Sequence, residues 1–142
     1  MLIKNNHTIT VTYKINKPAS MVYDYLADMQ KFASVHPVIT KIDKIKDNRY
    51  LVFETMRFGF IPYSFTYTAS VDSNKEIKMV NIKARVMKLV TIEMAFIITA
   101  ANGFSLINEE INFTTGLPIQ SLMQKIFIKQ HRQLFINIEK VV

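Results

Sequence analysis

From His7 the chain alternates between polar and apolar residues, with Ile9, Val11, Tyr13 and Ile15 interleaved with Thr8, Thr10, Thr12 and Lys14. A period of two predicts a first strand over 7–15. The alternation stops at Asn16-Lys17-Pro18, and a helical spacing takes over. Val22, Tyr25, Leu26 and Met29 recur at i, i+3, i+4 and i+7 behind Pro18, whose fixed φ suits the first turn of a helix. Asp28 is placed to cap a second short helix through Phe32 and Ala33. His36-Pro37 ends that helix, because a residue before proline is pushed out of the α region. After Pro37, six further strands are expected near 38–46, 49–58, 63–72, 76–85, 88–100 and 104–114. The final segment, from Leu117 onward, reads as one long helix opening with Pro118. Ile119, Leu122, Met123, Ile126, Phe127, Leu134, Ile138 and Val141 fall on one of its faces, which must pack on the sheet.

Three connections carry turn chemistry: Asp47-Asn48, Asp72-Ser73-Asn74-Lys75 and Asn102-Gly103. Connections this short make neighbouring strands antiparallel. In a meander successive turns alternate between the two ends of the sheet, so these three share one end. The opposite end then carries Phe58-Gly59-Phe60-Ile61-Pro62, Arg85-Val86-Met87-Lys88 and Thr115-Gly116-Leu117-Pro118-Ile119. Loops are normally polar. Three apolar ones at one end either plug the core, rim the mouth of an apolar cavity, or meet a partner or membrane.

Register predicts which side chains face inward. A tight turn at Asn102-Gly103 pairs Ala101 with Phe104, which puts Val90, Ile92, Met94, Phe96 and Ile98 on one face with Ile107, Glu109, Ile111 and Phe113. Pairing Phe58 with Tyr63 puts Tyr50, Val52, Glu54, Met56 and Phe58 on one face with Phe65, Tyr67, Ala69 and Val71, and a turn at Ser73-Asn74 adds Val80, Ile82 and Ala84. A two-residue turn between the fifth and sixth strands would invert the sixth, so an odd-length loop is expected there. The inner face is apolar except for Glu54, Glu109 and tyrosine hydroxyls. A buried carboxylate needs a partner or a proton. Arg57, Arg85 or a tyrosine could pair with either glutamate. Alternatively the two carboxylates orient a polar group of a ligand, or act as general acid or base.

Composition narrows the classes further. The 142 residues fit one domain, 1–142, and contain no cysteine, hence no disulfide, thiolate metal site or cysteine nucleophile. The early residues lack the apolar run of a signal peptide, and no stretch approaches the length of a membrane span, which leads to the expectation of a cytoplasmic protein. The net charge of +7 comes from basic residues scattered along the chain, with no run longer than Lys44-Ile45-Lys46 or the pair His131-Arg132. They read as a solvated surface, and no nucleic-acid-binding motif is present. Gly59, Gly103 and Gly116 are isolated, and there is no Ser-His-Asp arrangement or metal-spaced histidine set, so no cofactor or metal is expected. His36 reads as a helix terminator, with no second histidine placed to cooperate.

One strand, two short helices, a six-strand meander and a long terminal helix form a recognisable order. With Ile15-Asn16-Lys17-Pro18-Ala19-Ser20, Val22-Tyr23-Asp24-Tyr25-Leu26-Ala27-Asp28, Phe32 and His36-Pro37, the chain resembles the SRPBCC superfamily along essentially its whole length. That superfamily includes START lipid-transfer domains, birch-pollen-allergen-like proteins and polyketide cyclase/dehydrase-like proteins. The resemblance implies an α+β helix-grip fold: a curved seven-stranded antiparallel sheet with two short helices after strand 1 and a long C-terminal helix. It also implies an apolar cavity between helix and sheet, often holding a lipid, sterol, polyketide or quinone, and it supplies no shared catalytic set. The expected ligand-binding residues are Glu54, Met56, Phe58, Phe65, Tyr67, Ile82, Ile92, Met94, Phe96, Glu109, Ile111, Met123 and Phe127. A carrier of a hydrophobic small molecule is the first reading. An enzyme with Glu54 or Glu109 as base and a tyrosine as acid is the second. A protein- or membrane-surface module using the Phe58–Pro62 loop, in weak contact with a membrane, is the third.

Overall fold

The architecture is that of a computed structural model describing residues 5–86 and 88–142; Met87 and the side chains of Asn5 and Phe58 lie outside the described residues. The elements are β1 (Asn5–Ile15), α1 (Ala19–Ala27), α2 (Met29–Val35), β2 (Ile39–Lys46), β3 (Arg49–Phe58), β4 (Ile61–Asn74), β5 (Met79–Val86), β6 (Val90–Ala101), β7 (Phe104–Thr115) and α3 (Gln120–Glu139). All strands join one antiparallel sheet in the order β1-β7-β6-β5-β4-β3-β2. Six strands form the expected meander, and β1 returns beside β7.

The helical insertion forms for local reasons. The Pro18 carbonyl accepts from the Met21 and Val22 amides, opening α1. Asp28 then adopts an extended conformation that ends α1, and its carboxylate accepts from the Gln30 and Lys31 amides at the start of α2. α1 buries Ala19, Val22, Tyr23 and Leu26, so Tyr23 takes the inner place expected of Tyr25, which is half-buried. α3 starts at Gln120 rather than at Pro118. The Leu117 amide donates to Thr115 Oγ1, and Ile119 is still non-helical as it caps the first turn.

Turn chemistry accounts for the registers. Asn48 and Gly103 take the positive φ that their tight turns require, and Ala101 faces Phe104. β3 and β4 pair tightly, Phe58 with Ile61 rather than with Tyr63, around Gly59-Phe60. That shift of two residues leaves every described side chain on its predicted face. The β4–β5 turn is longer than two residues, because the Asn74 side chain accepts from the Glu76 and Ile77 amides and Lys78 closes the turn at positive φ. Val86 pairs with Val90, so the connection has the odd length that the hydrophobic pattern of β6 demands.

α3 does not cover the sheet evenly. Its C-terminal half is buried through His131, Leu134, Phe135 and Ile138. It is tied down where Asn137 Nδ2 donates to the Val35 carbonyl at 2.8 Å, and where Glu139 accepts from the Asn16 amide at 2.7 Å. No residue from Gln120 to Gln130 is fully buried. Among the described residues, no helix is long and apolar enough to cross a membrane.

Candidate ligand cavity

The uneven seating of α3 leaves a cavity of about 260 Å³ beneath its first half. The sheet side of that space is the half of the inner face nearest the apolar loops: Glu54 and Met56 of β3, Phe65 and Tyr67 of β4, Ala84 and Val86 of β5, and Ile92 and Met94 of β6. Met123, Ile126, Phe127 and Gln130 roof it. Leu89, Leu117, Ile119 and Leu122 line it at the end of the sheet that carries the apolar connections, two of which reach the cavity wall.

Eight of the residues expected from the sequence therefore line one space: Glu54, Met56, Phe65, Tyr67, Ile92, Met94, Met123 and Phe127. Phe58 cannot be placed, since its side chain lies outside the described residues. Ile82, Phe96, Glu109 and Ile111 share the inner face but do not line the cavity. Ile82 and Ile111 flank Met94 on the neighbouring strands, and Phe96 and Glu109 lie one inward-facing position further toward the polar-turn end, where the C-terminal half of α3 packs directly on the sheet. Phe96, for example, meets His131 and Phe135 at ring-centroid distances of 5.9 and 6.2 Å.

The cavity has one strong polar feature. The Tyr67 hydroxyl donates to Glu54 Oε1 at 2.6 Å. Burial raises the Glu54 carboxyl above its ordinary range, partly offset by this hydrogen bond and by the field of His131. Burial, and then the neighbouring carboxylate, push the Tyr67 phenol well up. The aromatic rings of Tyr63, Phe65 and Tyr67 run in a row along β4, with centroid spacings of 5.6 and 6.1 Å. Among the described residues, no lysine, arginine or histidine lies on the cavity wall. The wall thus offers a carboxyl group, hydroxyls and the negative faces of aromatic rings, and no positive charge to receive an anion.

A second polar cluster lies behind the Phe127 ring. His131 Nδ1 is 2.5 Å from Glu109 Oε2, with both side chains essentially inaccessible. The contact lacks hydrogen-bond alignment, and both Glu109 oxygens, His131 Nδ1 and the buried Tyr13 hydroxyl have no hydrogen-bond partner among the described residues. Phe96, Phe127 and His36 enclose the His131 ring, His36 at a centroid distance of 6.2 Å. His36 Nδ1 accepts from the Val38 and Ile39 amides, which explains its place at the helix terminus. Burial and the neighbouring His131 lower its pKa to about 3. A second histidine thus stands beside His36, contrary to the expectation from sequence. The readable signal was its spacing: position 131 lies four residues after Phe127 and three before Leu134, on the apolar stripe of α3. A histidine there has to find a polar partner on the inner face, and Glu109 is that partner. The Glu109–His131 pair does not line the cavity; it is a buried contact between β7 and the C-terminal half of α3. Among the described residues, no group of three or more histidine or carboxylate side chains is placed to hold a metal ion.

No family model matches the chain, and no curated protein matches it by sequence. Solved structures do match in fold. Ara h 8.0201 superposes with a TM-score of 0.78 at 15% identity, over 95% of this chain and 96% of its own. A START superfamily protein from Mycobacterium smegmatis gives 0.77 at 13% identity, over 94% of each chain. The Zhui aromatase/cyclase from Streptomyces sp. R1128 gives 0.73 at 12% identity, over 95% of this chain and 92% of its own. The chain has the helix-grip fold of these structures, a curved seven-stranded antiparallel sheet with two short helices after β1 and a long C-terminal helix. At these identities the likeness concerns the fold alone.

Proposed function

We propose that this protein binds and carries one small hydrophobic molecule in the cavity between the sheet and the first half of α3. The observation that carries this reading is an apolar space of about 260 Å³ with a single hydrogen-bonded polar pair, Glu54–Tyr67, on its wall. Apolar walls supply affinity through burial, and a few polar groups set orientation. Met56, Phe65, Ile92, Met94, Met123 and Phe127 are the apolar contacts, and Glu54 and Tyr67 orient the ligand's polar group. The volume lies just below the roughly 300–1,000 Å³ common for ligand pockets, which favours a compact lipid, polyketide-like or quinone-like molecule. With no cation on the wall, the ligand is neutral or cationic rather than anionic. The cysteine-free composition supports a cytoplasmic carrier. Organic extraction of the purified protein, read by mass spectrometry, tests this reading. It is supported by a stoichiometric apolar molecule that is lost when Met94→Trp fills the space.

The raised carboxyl of Glu54, in contact with the cavity, favours one further reading: a cyclase or dehydratase that uses it for proton transfer. Turnover of the extracted molecule, with a pH profile that Glu54→Gln abolishes, would decide for the enzyme.

A further inference from the structure

The end of the molecule that carries the cavity mouth differs from the rest of the surface in two independent ways. It collects exposed apolar side chains. Phe60 at the β3–β4 turn is 98% exposed, Ile61 beside it 71%, Leu122 of α3 58% and Leu89 of the β5–β6 connection 52%. Side chains of this kind are normal singly, but here they come from three separate segments at one end of the sheet, and two of them, Leu89 and Leu122, line the cavity itself.

The same end excludes negative charge. No aspartate or glutamate occurs in residues 55–71, 84–92 or 111–138, the three stretches that build this end and the helix above it. Those stretches contain Arg57, Arg85, Lys88, Lys125, Lys129 and Arg132. All eleven acidic residues lie elsewhere in the chain; among the described residues Glu54 is the one on the cavity wall, and Glu93 on the outer face of β6 is paired with Lys83. Basic residues that look scattered along the sequence are therefore segregated by the fold: at the polar-turn end, lysines alternate with Asp43, Asp47, Asp72 and Glu76, with ion pairs Lys41–Asp43 and Lys44–Asp47.

We propose that the rim formed by Phe60, Ile61, Leu89 and Leu122 is a docking surface for an anionic lipid bilayer, which sets the cavity mouth against the membrane. Apolar tips that enter the boundary between headgroups and acyl chains, surrounded by cations without counter-charges, match a negatively charged lipid surface in both respects. A protein partner would need the same two features on a shaped surface, whereas a bilayer supplies them without shape. The geometry also lets an apolar molecule pass between membrane and cavity without crossing water.

Sedimentation with vesicles tests the proposal, using phosphatidylcholine alone and phosphatidylcholine mixed with phosphatidylglycerol. The protein is expected to sediment with the anionic vesicles, less so as salt rises, and weakly with the neutral ones. Phe60→Ser with Ile61→Ser removes binding while leaving the circular dichroism spectrum and melting temperature unchanged, since both side chains are already in water. Arg57→Glu with Lys88→Glu weakens binding by at least ~25-fold, taking about fivefold per cation lost. The same charge change at the polar-turn end, Lys44→Glu with Lys46→Glu, has a much smaller effect. Equal binding to neutral vesicles, no binding to either, or equal loss from the two charge-reversal pairs overturns the proposal. So does a concentration-dependent dimer abolished by Phe60→Ser with Ile61→Ser, since the rim would then be covered by a second copy of the chain.

Discussion

Replacing one member of the Glu109–His131 pair should destabilise the fold more than replacing both. The two side chains are 0% and 1% exposed and 2.5 Å apart, with no other partner for the contacting atoms. His131→Leu leaves a carboxylate in a site walled by Phe96 and Phe127, and stranding a buried charge costs about 3–5 kcal/mol. Glu109→Met leaves an imidazole instead. An imidazole ring buried without its partner is an unsatisfied polar group, which costs about 1–3 kcal/mol. With both replaced, no polar group remains in contact, and exchanges of this kind range from near neutral to stabilising by about 1–4 kcal/mol. Urea unfolding of the four proteins, followed by circular dichroism at pH 7, measures all of these against a total stability of roughly 5–15 kcal/mol. The expected order places His131→Leu lowest, Glu109→Met next and the double variant close to the parent. If the double variant loses the sum of the two single losses to within about 0.5 kcal/mol, the side chains act independently and the buried contact does not couple them.

Other consequences follow from the titratable groups and the cavity wall. His36 is held neutral, at about 3 against an ordinary 6.5, so the stability it contributes is present above pH 6.5 and is lost as pH falls toward 3. His36→Asn keeps an acceptor for the Val38 and Ile39 amides, and melting curves across pH 3–7 should show a shallower acid limb. Glu54 has the opposite sign. Its folded carboxyl is raised above 4.5, so its contribution is complete below pH 4.5 and declines as pH rises through the raised value. Melting temperatures of Glu54→Gln should fall less over that interval than those of the parent. In calorimetric titration with octanol, octylamine and octanoate, the anion should bind weakest, by at least about tenfold relative to the alcohol, because no cation on the wall receives it. Equal affinity for octanoate would refute the assignment of the wall's charge.

The strands, their facing and the two ends of the sheet were legible because side-chain alternation survives errors of two residues. Pairing Phe58 with Ile61 instead of Tyr63 changed the contacts but not the faces. The odd-length β5–β6 connection was forced by the apolar positions of β6 before its length was seen. What could not be read was the placement of α3 along the sheet, which follows from tertiary contacts such as Asn137 to the Val35 carbonyl. That placement divides one continuous apolar face into a packed part that includes Phe96 and Glu109 and an open part lined by Met56, Phe65 and Met94, with Ile82 and Ile111 flanking Met94 but off the cavity. It also brings His131 to Glu109 across 22 residues of sequence, a pairing invisible without the helix's register. Charge segregation was hidden for the same reason, since the three acid-free segments are far apart in the chain and are brought side by side only by the fold.

The most direct measurement is a fluorescence titration with N-phenyl-1-naphthylamine, an uncharged apolar dye, on the parent and on Met94→Trp. The cavity account predicts saturable enhancement with one dye per folded chain, abolished in Met94→Trp while its unfolding transition stays cooperative. No enhancement in the parent, or enhancement that survives the filled cavity undiminished, would contradict it.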